Sequence, residues 1–421
     1  VVLEPTPVVL LLALARTSFW KFLYRLRHYQ FFHRMFSARC FDRSLLPCLG
    51  LCFLLAMSCI RARVGYITAS NTVEINLDSG VIHPSISGHV DSLSAINLET
   101  GDHSLISDAG NIRKIVFKDN KFFILDEKFM SIKAFDMAGR YLFDLGKLGL
   151  GKGEFVHIAD MEYYPPHNTI MILCEQPRKV TEFTLNGSFV KDSNLDFWAS
   201  GFAFPSANSR IFYINQNIND ASGKKNVLFT DSNNAITSTM FDLPTNISAE
   251  VKFSGGLFST GHSIYFNPVF SDTYYSLSGD TANPVFKIDY GKKAIPAGVG
   301  QSELFNRLEN FSFQFNTFVK VKEWIGFNYL NRQKSTVFFN TISRKMMVSN
   351  VSADSLDILF SNSMFECDDE LVMILDSNIL SEFLRRNQDS IKRKFPNLYA
   401  HLNFQKTHQN PTLLRFTLRT I

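Results

Sequence analysis

Cysteine is scarce where a fold would need it. Of six cysteines, four are Cys40, Cys48, Cys52 and Cys59, and only Cys174 and Cys367 follow. Two thiols make no disulfide framework, and each sits in an apolar run, Ile170 to Cys174 and Met364 to Cys367, so both read as small buried hydrophobes. Long apolar runs are also missing: Val8 to Ala15 and Leu45 to Met57 fall well short of the roughly 20 residues that cross a bilayer. Charge of one sign is lacking in the body of the chain. The formal net charge of +4 comes from residues 1–58, which hold seven Lys or Arg against two Asp or Glu. The remainder is nearly neutral and has no basic footprint, which argues against nucleic acid as a partner.

Catalytic signatures are absent too. The histidines after residue 59 include no H-x-H or H-E-x-x-H pair, and His401 and His408 stand seven apart near a helix end. Gly149-x-Gly151-x-Gly153 is not a dinucleotide fingerprint, because no helix pattern follows it. It is not a phosphate loop either, since Lys152 precedes Gly153 rather than Ser or Thr. These glycines read as backbone turns between repeats. In Gly261-His262-Ser263 the closing Gly of a nucleophile elbow is replaced by Tyr265. No catalytic residue, metal ligand or cofactor is therefore assigned.

What is present begins with an export pattern. Arg39 and Arg43 follow Met35, then comes the Leu45 to Met57 run, and Ser58 stands directly before Cys59, which is the order of a signal peptide over residues 35–58. Leu55-Ala56-Met57-Ser58-Cys59 is similar to a bacterial lipobox, which assigns Cys59 as the lipidated residue and the membrane as a partner through that anchor. Residues 1–34, beginning with Val, read as an extension upstream of the true start, and residues 59–71 as a linker. Ile60-Arg61-Ala62-Arg63 contains no acidic tract, so a periplasm-facing position in the cell envelope is expected.

Aromatics are abundant, with 41 Phe and 13 Tyr, and these favour strands. An internal repeat organises them. Ile124, Ile132, Phe135, Gly139 and Leu142 recur 48 residues later as Ile172, Val180, Phe183, Gly187 and Val190. Each unit reads as four short strands, Ile112 to Phe117, Phe122 to Asp126, Ser131 to Phe135 and Tyr141 to Leu145 in the first, separated by turns such as Asp119-Asn120 and Ala138-Gly139. Four strands per 40 to 50 residues is the pattern of a propeller blade, and a lone blade cannot bury both faces. Five blades fit between Ile112 and Val351. A sixth is assembled from both ends: Thr72 to Leu77 and Ala95 to Leu98 with Glu370 to Leu375 and Pro411 to Arg419. Before that closing strand, Ile379 to Leu402 has a helical pattern split at Pro396. The expected fold is all-β, a six-bladed β-propeller over residues 72–421 with a C-terminal helical insertion.

On Ile96 to Thr100, Ile115 to Asp126, Gly146 to Phe155, Phe270 to Tyr275 and Asn410-Pro411, the chain resembles the six-bladed β-propeller lipoproteins of Gram-negative anaerobes, NHL-like in appearance. The resemblance covers residues 65–421 and implies fold and location, but it supplies no active-site residues. A binding protein for a protein, peptide or glycan ligand is therefore expected. The alternative is a propeller enzyme of lyase or lactonase type with a central metal assembled from separate blades. Trp198, Trp324, Tyr163-Tyr164 and Tyr274-Tyr275 are the candidate ligand-facing aromatics, although most aromatics of a propeller fill the space between blades. Asp91-Ser92-Leu93, Asp280-Thr281-Ala282, Asp354-Ser355-Leu356 and Asp389-Ser390-Ile391 resemble an O-glycosylation signal.

Overall fold

Asp119 and Asn120 both take positive φ, 52° and 55°, between paired Lys118 and Lys121. That is the two-residue hairpin turn whose twist matches its strands. The computed structural model describes residues 63–64, 66–67, 72–77, 84–215, 223–243, 256–261, 263–296, 299–331, 333–349, 356–360, 362–402 and 410–419. The expected signal peptide, the upstream extension and Cys59 lie outside them, as does His262.

Residues 62–421 form one unit. Its described strands build six four-stranded antiparallel blades. Blade I comprises Ile112–Lys118, Lys121–Asp126, Ser131–Asp136 and Tyr141–Asp144, and blade II comprises His157–Tyr164, Thr169–Gln176, Lys179–Thr184 and Phe189–Asn194. Blade III comprises Gly201–Ser206, Ser209–Tyr213, Lys225–Asp231 and Ile236–Asp242. Blade IV comprises Leu257–Thr260, Ser263–Phe266, Thr273–Ser278 and Thr281–Asp289. Blade V comprises Phe313–Val321, Trp324–Asn331, Gln333–Asn340 and Met346–Val348. Each first strand lies beside the first strands of both neighbouring blades, so the ring closes around a hub.

The 48-residue repeat is visible in the atoms. Between the third and fourth strands, Gly139 and Gly187 take φ of 79° and 85°, and their amides donate to the Asp136 and Thr184 carbonyls at 2.9 and 3.0 Å. Asn234 repeats the turn in blade III, with φ of 67° and a bond to the Asp231 carbonyl. The next repeated pair, Leu142 and Val190, falls where the fourth-strand register shifts, which leaves both exposed on the blade edges.

Blade VI closes the ring with Met364–Cys367, Glu370–Leu375, Thr412–Leu418 and Val90–Asn97, in that order from the hub. The C-terminal strand is thus held on both sides, by Glu370–Leu375 and by Val90–Asn97. One expected member is corrected. Val73–Asn76 does not join blade VI but runs parallel to the fourth strand of blade IV, pairing with Phe286–Asp289. Arg63–Val64 and Tyr66–Ile67 likewise add in parallel to blades III and IV. The alternation of Val73 and Ile75 reads the same on any sheet edge, so pattern alone could not choose the blade. Asn410 explains its motif: its side chain donates to the Glu99 and Ser104 carbonyls and accepts from Ile106, locking the loop that leaves Val90–Asn97.

Six apolar cores occupy the six junctions between neighbouring blades. Phe122 and Phe135 fill the VI–I junction, Phe123 and Phe183 the I–II junction, and Phe202 and Phe212 the II–III junction. Cys174 and Cys367 are free, buried thiols within two of these cores, and burial pushes both up to about 12. The helical insertion is Ser377–Lys394 and Pro396–Leu402, with the break before Pro396 and a kink at Asn387. Its Leu380, Phe383, Ile391 and Leu398 extend the V–VI core. No helix among the described residues is long and apolar enough to cross a membrane.

Candidate functional site

The two ends of the ring differ. At one end the first and second strands are joined by short turns, such as 119–120, 207–208 and 322–323. The other end carries the crossovers between blades, 145–156, 195–200 and 290–312 among them, together with the helical insertion at 376–411. Function in a rigid scaffold concentrates on such loops. The glycine-rich crossover is the best formed of them. Lys147–Leu148 pairs in parallel with Glu154–Phe155, and Gly146, Gly149 and Gly153 take positive φ. The Glu154 carboxylate closes the loop by accepting from the Gly151 amide at 2.9 Å and pairing with Lys147 at 3.1 Å. Its glycines serve the backbone, as expected.

Beneath the loops, the first strands place charge in the hub. Lys114 of blade I reaches across to blade II, where Nζ lies 3.2 Å from Asp160 and 2.7 Å from Glu162. Asp160 also accepts from the Phe202 amide of blade III. Gly261 of blade IV donates to Glu366 of blade VI, two blades away, at 2.6 Å. Burial alone would lower the Lys114 pKa, but the negative charge of Asp160 and Glu162 raises it above its ordinary value. Burial raises Glu162 despite the attraction of Lys114. The lysine is thereby kept as an ammonium ion, which suits it to hold charge and not to act as an amine nucleophile. Lys334, pushed down to about 8 by burial, belongs to the third strand of blade V, outside this cluster.

Arg113 links the hub to the loop surface. Its guanidinium pairs with Glu127 of blade I at 2.6 Å and donates to the Ser200 carbonyl ahead of blade III at 2.8 Å. Two residues before Ser200, Trp198 is 39% exposed, and the Arg178 guanidinium lies 5.3 Å from its ring centroid. An exposed indole held by a cation is a rigid amphipathic platform that can stack a ring or an apolar side chain at little entropic cost.

The other candidate aromatics part company with Trp198. Trp324, Tyr164 and Tyr274 are buried between blades, and Tyr163 and Tyr275 are half-buried. Of the hydroxyls in the glycosylation-like signals, Ser92 is exposed and bonded to Thr417 at 2.7 Å. Thr281 and Ser390 are half-buried, and Ser355 lies outside the described residues. Ser263 pairs with Thr260 inside a hairpin, so no strand-to-helix elbow surrounds it. Among the described residues no group of three or more His, Cys, Asp or Glu is placed to hold a metal ion. The hub cluster was not singled out in the sequence, although the 48-residue offset carries Lys114 onto Glu162. Opposite charges at equivalent positions of adjacent blades were the available signal.

Residues 72–416 match the family described as a domain of unknown function, DUF4934. Among solved structures, a Bacteroides fragilis protein described as exported is 17% identical, with 84% of this chain and 100% of that one covered at a TM-score of 0.67, a likeness of fold. A member of the DUF4221 family from Bacteroides vulgatus is 9% identical, with 78% and 97% covered at a TM-score of 0.49. No curated protein matches the chain.

Proposed function

The chain belongs to the DUF4934 family, and from that premise we propose that it is a non-catalytic binding protein of a Gram-negative cell envelope. A lipid on Cys59 holds it to the membrane, facing the periplasm, and its long-loop end takes a protein, peptide or glycan ligand. The observation that carries this reading is Trp198, a large aromatic left exposed beside Arg178 at the loop-rich end while the other described tryptophan, Trp324, is buried. The fold shared with a Bacteroides fragilis protein described as exported supports an extracytoplasmic location.

The test screens the purified protein against arrays of envelope glycans and peptides, with Trp198→Ala in parallel. A central aromatic anchor contributes about 2 kcal/mol, roughly 30-fold in affinity. Unchanged binding by a folded Trp198→Ala variant refutes the assignment of the face. For the anchor, Cys59→Ser moves the protein from the membrane to the soluble fraction. Unchanged fractionation with unchanged lipid labelling refutes it.

A further inference from the structure

The strap formed by residues 63–64, 66–67 and 73–76 has a direction. Arg63 and Val64 run parallel to the fourth strand of blade III, opposite Ser238 and Thr239. Tyr66 and Ile67 run parallel to the fourth strand of blade IV, opposite Thr281 and Ala282, and Val73–Asn76 continue opposite Phe286–Asp289. Both fourth strands start at the short-turn end of the ring, Ile236–Asp242 after the turn at Asp231 to Ala235 and Thr281–Asp289 after the turn at Ser278 to Gly279. The strap therefore comes onto the rim from the short-turn end. It leaves toward the long-loop end, where the Leu77 amide bonds the Asp289 carbonyl at 2.9 Å.

Only Ile60, Arg61 and Ala62 separate Cys59 from Arg63. An extended chain covers at most about 3.5 Å per residue, so Cys59 stands within about 14 Å of the Arg63 Cα. A tether that short gives the ring little freedom to turn over. Had the strap run antiparallel to the fourth strands, the same tether would have led to the long-loop end and pressed Trp198 toward the lipid.

We infer that the propeller stands with the short-turn rim of blades III and IV against the lipid bilayer and its long-loop end directed away from it. The inference rests on the lipid anchor at Cys59 proposed above. The chemistry next to the tether suits the surface: Arg61 and Arg63 are basic, and no acidic residue occurs between Cys59 and Glu74, which favours anionic headgroups. Trp198, Arg178 and the helical insertion then face the aqueous compartment, where a soluble ligand reaches them.

The test uses the lipidated protein, reconstituted in phosphatidylethanolamine and phosphatidylglycerol vesicles that contain a nitroxide-headgroup lipid. A fluorophore is attached at Asn233→Cys, in the short turn of blade III, or at Lys128→Cys, at the long-loop end of blade I. Both residues are exposed, while Cys174 and Cys367 are buried and do not compete for label. The expected result is that the label at 233 loses most of its emission to the nitroxide and the label at 128 keeps it. Equal or reversed quenching on protein that floats with the vesicles overturns the orientation and leaves the anchor standing. Protein that stays behind on flotation overturns the anchor, and the orientation with it.

Discussion

Replacing Lys114 by Met keeps the length of the side chain and removes its charge, which leaves Asp160 and Glu162 without their shared cation. The ammonium lies 3.2 and 2.7 Å from the two carboxylates, and the three side chains are only 21%, 10% and 12% exposed. Removing one partner of a buried ion pair costs about 3–5 kcal/mol, because the charge left behind is desolvated and unpaired. Unfolding entropy of roughly 2.1 cal/mol/K per residue over residues 62–421 amounts to about 0.75 kcal/mol/K, so Tm should fall by about 4–7 °C at pH 7. The deficit should depend on pH in one direction. Glu162 already has a raised pKa, chiefly from burial, and loss of Lys114 raises it further. Above the ordinary carboxyl value of 4.5 the native state then binds more protons than the unfolded chain, so stability falls as pH rises through this window. Below it Glu162 is protonated in both states and its share of the penalty is absent. Calorimetric melts of wild type and variant from pH 4 to 8 measure the difference, and adding Glu162→Gln to Lys114→Met should restore part of it. A Tm deficit that is absent at pH 7, or equally large at pH 4, refutes the account of the hub as an ion cluster held by Lys114.

Two further predictions concern the frame. Gly139→Ala meets both a φ of 79° and the Asn97 carbonyl oxygen 2.0 Å from its new Cβ, whereas Gly223→Ala, at φ 55°, has open space. Chemical denaturation should show about 1–2 kcal/mol lost at 223 from the backbone alone and clearly more at 139; equal losses would contradict the packing of this turn on blade VI. Removing Asn410 to Ile421 takes away the strand between Glu370–Leu375 and Val90–Asn97, together with the Asn410 clamp. The truncated chain should aggregate or fail to fold, and a monomer as heat-stable as the full protein would refute ring closure by this strand.

Much of the frame was legible in the chain because it is written in local chemistry. Asp119-Asn120 and Gly139 state the turns, Phe122, Ile124, Phe135 and their 48-residue echoes state the strands, and Pro396 states the break in the helix. Repetition of that unit requires a ring, since a blade has two apolar faces and no other way to cover both. Ring closure by the C-terminal strand followed from the same need.

The partners of the strap and of the hub were decided elsewhere. Val73 and Ile75 satisfy any exposed edge, and only the packed ring offers them blade IV and gives Met364–Cys367 the innermost place in blade VI. Lys114, Asp160, Glu162 and the Phe202 amide come from three blades, and Arg178 meets Trp198 across a crossover. The sequence by itself determined the repeating four-strand unit and the number of blades, because turn geometry and strand alternation act between residues close along the chain. Only the tertiary structure decided which charges share the hub and which aromatic stays in water, because those depend on contacts between residues far apart in the chain, made only once the ring has closed.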